Sequence, residues 1–242
     1  YGLDIVDSIP ALCQKVDGIM LESVDGRPHL APVKPVLEAG LPVFIDKPMA
    51  GNLGDVIAIF ELAREKQVPC WSSSSLRYAL GIHDLKKNAT LGDILGCDVY
   101  SPCSFEPHHP DLYWYGVHGV EILYTIMGTG CETVTRTHTA GCDVVVGHWK
   151  DGRIATYRGI RKGKSGYGAR IYGSKSIQST GKYGGYGALV EEIVRFFKTG
   201  KVPVPAEETI ELFAFMTAAD ASKIAGGAPV ALDAVIAETA KK

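Results

Sequence analysis

Two side chains are best placed to do chemistry: a lysine just past a buried strand, and a histidine flanked by glycines. Val43-Phe44-Ile45 reads as a short buried strand, and Asp46-Lys47-Pro48 follows it. Proline keeps the residue before it out of the helical region, so Lys47 is expected on an extended turn. There an ammonium can hold a substrate hydroxyl or donate a proton. The tripeptide alone is a weak motif, and a solvated loop lysine is the alternative. His118 lies in Trp114-Tyr115-Gly116-Val117-His118-Gly119-Val120-Glu121. On a continuous helix Trp114, Tyr115 and Glu121 share its face. An imidazole titrates near neutral pH and serves as acid or base. Gly116 and Gly119 are expected to leave the ring open to a ligand; a core histidine bonded to a backbone carbonyl is the alternative. Arg77 follows a third strand and is expected at the same ligand edge. His108-His109, before Pro110, is expected to be an exposed pair in a polar loop.

The elements that must position these residues change character along the chain. Ser8-Ile9-Pro10 reads as a capped helix start. Strands are expected at Gly18–Leu21, Val43–Ile45 and Val68–Ser72, with helices at Leu30–Glu38 and Asp55–Gln67 between them. Pro32 and Pro35 are expected in or before the first turn of the helix near Leu30. Short strands separated by helices imply right-handed crossovers and a parallel sheet. Beyond Tyr78 the spacing predicts a helix at Ala79–Asn88, a strand at Cys97–Phe105 and one helix over Leu112–Met127. From Glu132 strands follow one another, with Asp151-Gly152 as a hairpin turn. Two helices, Ala188–Lys198 and Ala206–Ile224, are expected near the end. The expected fold is α/β: part of a parallel Rossmann-like sheet over 1–78, then an α+β domain over 79–242 with a largely antiparallel open sheet.

Composition narrows the function. Net charge is −2 with 25 basic and 27 acidic residues, and no cationic run occurs, so nucleic acid and acidic membranes are not expected partners. No apolar stretch approaches the length of a membrane span. The six cysteines form no C-x-x-C pair and are expected to be reduced, mostly buried thiols in a cytoplasmic setting. No cysteine-ligated metal site is expected. No P-loop, no G-x-S-x-G and no G-x-G-x-x-G after a strand near the amino end is present. The glycine-rich Gly181–Gly187 follows the β region and opens no βαβ unit.

Several segments together resemble a known family. Val16-Asp17-Gly18-Ile19-Met20-Leu21, His29, and Val36 through Pro48 look like the second half of the Rossmann domain in the Gfo/Idh/MocA oxidoreductases. Gly116-Val117-His118 resembles that family's catalytic helix, and Ile193–Leu232, with Ser222 and Gly226-Gly227-Ala228-Pro229-Val230, resembles its usual ending. The resemblance implies an NAD- or NADP-dependent enzyme acting on a sugar, polyol or related hydroxyl compound. Lys47 would bind the reacting hydroxyl and His118 would move its proton, with Arg77, Trp114, Tyr115 and Glu121 around the substrate. Glu22, Ser23, His29, Asp46, Lys47 and Arg77 would touch the cofactor. Where the family carries an acid, four residues before the histidine, this chain has Trp114. The indole is expected to desolvate His118 and lower its pKa, with Glu121 as a substitute orienting carboxylate. The resemblance also implies a missing first βαβ unit, a longer parent chain, weak cofactor binding by this chain alone, and homo-oligomers formed through the antiparallel sheet. A nicotinamide-dependent glycosidase and a non-catalytic carbohydrate-binding or assembly protein are the alternatives.

Overall fold

In the computed structural model, which describes residues 2–85 and 89–241, the first third of the chain winds a parallel sheet. The hydroxyl of Ser8 accepts from the Ala11 amide at 3.3 Å and starts α1 (Ile9–Cys13). β1 (Ile19–Leu21), α2 (Leu30–Glu38), β2 (Val43–Asp46), α3 (Leu53–Lys66) and β3 (Cys70–Ser73) follow. The strands lie parallel in the order β1-β2-β3, with Ile45 beside both Leu21 and Ser72. Pro35 sits inside α2 rather than ahead of it. One missing amide is tolerable in a helix whose Val33, Val36 and Leu37 are anchored in the core. Asn52 caps α3, so that helix begins two residues before Asp55.

Alternate strand residues face opposite sides. Val43 and Ile45 pack with the buried residues of α2 and α3, while Phe44 and Trp71 pack with Leu189, Ile193 and Phe196 of α6 (Gly187–Thr199). A helix from the far end of the chain therefore closes one face of the parallel sheet. Sequence spacing alone does not show this.

The second sheet has β4 (Ile94–Pro102), β5 (Cys131–Thr139), β6 (Cys142–Trp149), β7 (Ile154–Ile160), β8 (Gly168–Gly173), β9 (Ile177–Thr180) and β10 (Val230–Ala231). Its order is β10-β5-β6-β7-β4-β8-β9, antiparallel throughout except where β4 runs parallel to β7. Val99, Val134, Val145, Tyr157 and Ile171 turn inward and are buried. They lie under α5 (Val117–Met127) and α7 (Ala206–Ile224). No helix among the described residues is long and apolar enough to cross a membrane.

Three expectations are corrected. Residues 79–85 form turns rather than a helix, and 86–88 lie outside the described residues. In the turn region Leu80 pairs with Lys182 instead. The helix expected over Leu112–Met127 is broken into α4 (Asp111–Trp114) and α5. At the break the chain folds back so closely that a Cβ on Gly116 would stand 2.9 Å from the Leu112 carbonyl oxygen. Finally, β10 leads into α8 (Leu232–Thr239), a helix the sequence reading leaves out. All six cysteines are free thiols, five of them buried.

Candidate active site

The carboxyl ends of the three parallel strands converge on the start of α5. Asp46 ends β2 beside Ser73 of β3, so Lys47 and Ser74 leave the sheet as neighbours. The Lys47–Pro48 bond is cis. His118 occupies the second position of α5, and its Nδ1 lies 2.6 Å from Ser74 Oγ, which also accepts from the Leu76 amide at 3.1 Å. The Tyr115 ring stands edge-on to His118 at 5.0 Å, and Lys47 Nζ lies 5.9 Å from the centre of the same ring. The His118 residue is 6% exposed. Burial, and then the Lys47 charge, push its pKa down to about 3, so the imidazole is neutral at physiological pH. Glu22 and Asp46 sit at the same edge with pKa values raised, in both chiefly by loss of solvent.

Other residues expected at the site do different work. Arg77 lies in the short 3-10 turn after β3 and is buried; its Nε donates to Glu121 at 2.5 Å and its Nη2 to Glu208 at 2.6 Å. Burial opposes that charge, but the two carboxylates outweigh it and raise the Arg77 pKa. Arg77 and Glu121 thus bolt the strand end, α5 and α7 together. Glu121 is engaged by Arg77 and by the Ser73 hydroxyl rather than by His118. Trp114, on the far side of the helix break, packs on His109 at 5.0 Å. The low pKa of His118 has burial and Lys47 as its causes. His29 is fully buried, with Nδ1 at 3.1 Å from the Met49 carbonyl and Nε2 at 3.0 Å from the Ser23 carbonyl. It ties the loop after β1 to the turn after Lys47, with both ring nitrogens engaged by backbone carbonyls. Glu22 and Ser23 are exposed at the sheet edge, as a ligand contact requires. His109 is buried, not exposed: its ring bridges Glu106 at 2.7 Å and Asp25 at 3.1 Å. His108 is exposed.

The two glycines flanking His118 serve packing. A Cβ on Gly119 would stand 2.2 Å from the Tyr157 ring and 2.7 Å from Ser101 Oγ, so Gly119 lets α5 lie directly on the second sheet. Two residues that touch His118, Ser74 and Tyr167, escape the sequence reading. Ser74 belongs to the run Ser72-Ser73-Ser74-Ser75 at the end of β3, a visible polar cluster at a strand terminus. Tyr167 stands edge-on to His118 at 6.2 Å, its hydroxyl 3.3 Å from that of Tyr115, and Tyr183 follows at 6.1 Å. Their signal is the recurrence of tyrosine through the glycine-rich Lys162–Gly187.

In an open parallel sheet the carboxyl edge, where these polar groups gather, is the usual place for a ligand. Residues 1–74 match the Gfo/Idh/MocA oxidoreductase family, described as having an NAD-binding Rossmann fold. A putative oxidoreductase, YceM, of Salmonella typhimurium is 31% identical over 108 residues, which cover 45% of this chain and 35% of that relative's length. Solved structures share the fold. A putative myo-inositol dehydrogenase from Sinorhizobium meliloti superposes with a TM-score of 0.82 at 13% identity, covering 93% of this chain and 84% of that one. A scyllo-inositol dehydrogenase from Lactobacillus casei, with bound NAD(H) and scyllo-inositol, gives 0.75 at 13%, covering 94% and 84%.

Proposed function

We propose that this protein is an NAD(P)-dependent oxidoreductase that interconverts an alcohol and a carbonyl on a sugar, polyol or related compound. One observation carries the reading: Lys47 and a neutral, hydroxyl-anchored His118, 71 positions apart in sequence, meet at the carboxyl edge of a parallel sheet. The nicotinamide, when bound, accepts or returns the hydride. The residues here fit its nicotinamide end, since Glu22, Ser23, Asp46 and Lys47 line that edge. Among the described residues no strand–glycine turn–helix unit offers a pyrophosphate cradle.

The chain's own part is to hold the oxygen and move its proton. Lys47 donates a hydrogen bond to the reacting oxygen and steadies negative charge that develops there. When Nδ1–H donates to Ser74 Oγ, Nε2 presents a lone pair and takes the hydroxyl proton. Carbonyl reduction runs the same transfer backwards. The neighbour holding scyllo-inositol supports a polyol-type substrate. We further propose that copies assemble through the outer face of the seven-stranded sheet, where Val144 and Val146 are half-buried and Tyr100 is 43% exposed.

The test is nicotinamide reduction measured with NAD and NADP over a panel of inositols, aldoses and alditols, with calorimetry for cofactor binding and light scattering for particle mass. Turnover on one substrate class that His118→Ala abolishes is the expected outcome. No cofactor binding and no reduction across the panel would remove the reading.

A further inference from the structure

Beyond Tyr115 and Tyr167 the aromatic rings do not stop. Tyr183 follows Tyr167 at 6.1 Å between centroids, and Tyr186 follows Tyr183 at a further 6.1 Å. Tyr115 and Tyr167 are half-buried, but Tyr183 is 43% exposed and Tyr186 is 62% exposed. The series therefore climbs in nearly even steps from His118 to open solvent. Large aromatic rings left open beside a polar pocket are a recurring mark of a binding surface.

The outer rings are also held in place. Leu80 bridges the loop that carries them: its amide donates to the Lys182 carbonyl at 3.0 Å and its carbonyl accepts from Gly181 at 3.0 Å. Gly181 and Gly185 take φ values of +93° and +90°, which let the backbone turn sharply on either side of Tyr183. Tyr186 is the residue at which α6 begins. A ring fixed before the ligand arrives binds with less loss of conformational freedom.

We infer that Tyr183 and Tyr186 form an outer subsite for a second sugar ring, so that the substrate is a glycoside or oligosaccharide whose inner ring reacts at His118. A pyranose presents an apolar C–H face and a polar rim, and a tyrosine matches both with its ring and its hydroxyl. The spacing of successive rings is comparable to one sugar unit per step. This rests on the oxidoreductase reading for the inner ring. The outer subsite itself is tested by binding, which needs no turnover.

The measurement is calorimetric titration of the protein with one-ring and two-ring probes: glucose against maltose and cellobiose, galactose against melibiose, and myo-inositol against galactinol. At least one two-ring probe is expected to bind about fivefold or more tightly than its one-ring counterpart. Tyr183→Ala and Tyr186→Ala are each expected to remove most of that advantage while leaving the one-ring probe and the melting temperature unchanged. Equal affinity for one and two rings in every pair overturns the proposal. So does a variant that weakens NAD(P) binding instead, which would assign the outer rings to the cofactor. If the discrimination holds while no probe is turned over, the subsite stands and the oxidoreductase reading falls.

Discussion

The molecule holds two groups of charges that are handled in opposite ways. In one, Arg136 of β5 is buried with its guanidinium shared among Asp143 of β6, Asp111 of α4 and Asp220 of α7. Arg161 also pairs with Asp143, and Lys223 with Asp111, so three cations meet three carboxylates. Phe105 lies against both outer cations, 4.0 Å from Arg161 and 5.4 Å from Lys223. In the other group, Lys47 faces a tyrosine ring and depresses a histidine that is already desolvated. Charges in the first group satisfy each other and fasten a sheet to two helices. Those in the second stand at the carboxyl edge of the parallel sheet, where the proposed substrate would satisfy them. Burial alone therefore does not mark a site; what matters is whether the partners of a buried charge are already present.

Breaking the closed group gives the largest effect. Arg136→Ala leaves the fully buried Asp143 with Arg161 as its remaining cation and takes a partner from Asp111 and Asp220 as well. Removing one member of a buried pair costs about 3–5 kcal/mol. Calorimetric unfolding should show that loss, and a loss below about 1 kcal/mol would show the network to be dispensable. Asp220 adds a pH signature. Its pKa is raised to about 6, first by burial, above the ordinary 3.8. Its contribution to stability is thus full below the ordinary carboxylate pKa and is lost as pH rises through about 6.

Opening the second group further comes next. Lys47→Ala should cut turnover by about 10²-fold, the usual cost of losing one well-placed donor in a water-poor site, with little change in melting temperature. Wild-type activity should show no acid limb from His118 near neutrality, because the ring stays neutral down to about pH 3. Lys47 is one cause of that low value, so its removal should shift the acid limb to higher pH. The stability sign follows the same shift. With a folded pKa of about 3 against 6.5, the unfolded chain takes up a proton that the native state refuses. Stability from His118 is therefore present above 6.5 and lost as pH falls towards 3. A pH–rate profile with an unmoved acid limb would detach Lys47 from His118.

How legible the site is depends on whether neighbours in space are neighbours in sequence. The parallel unit was readable because a buried strand followed by Asp46-Lys47-Pro48 sets the edge locally, and the antiparallel strands showed through their period of two and Asp151-Gly152. Lys47 is legible as a lysine at a strand end, and His118 as a histidine between glycines, although within one long expected helix rather than at the start of a shorter one. The partners are not. Glu121 looks like a companion of His118 on a helical wheel, yet Arg77, 44 positions away, holds it. Trp114 looks like another companion, yet the chain bends at Gly116 and turns the indole to His109. Periodicity assumes an unbroken helix and says nothing of contacts made across the fold. Ser74 and Tyr167 reach His118 over 44 and 49 positions, and no local pattern encodes such pairs.

The smallest expected effect concerns Ser74, and it sharpens the contrast most finely. Its hydroxyl is a single neutral contact to His118 Nδ1, at 2.6 Å, in a region 1% exposed. A hydrogen bond of that kind contributes about 0.5–1.5 kcal/mol, so Ser74→Ala should lower kcat by roughly two- to tenfold. If Ser74 acts by fixing the tautomer, KM should hold steady while the proton at Nδ1 loses its acceptor. Nitrogen-15 chemical shifts of the His118 ring should then move from one dominant tautomer towards a mixture. A merely structural hydroxyl, supporting the Leu76 amide at 3.1 Å, would lower the melting temperature and leave those ring shifts where they were. Ser74 would then belong with Arg136 among the groups that build the fold, and His118 would owe its orientation to the aromatic edges of Tyr115 and Tyr167 alone.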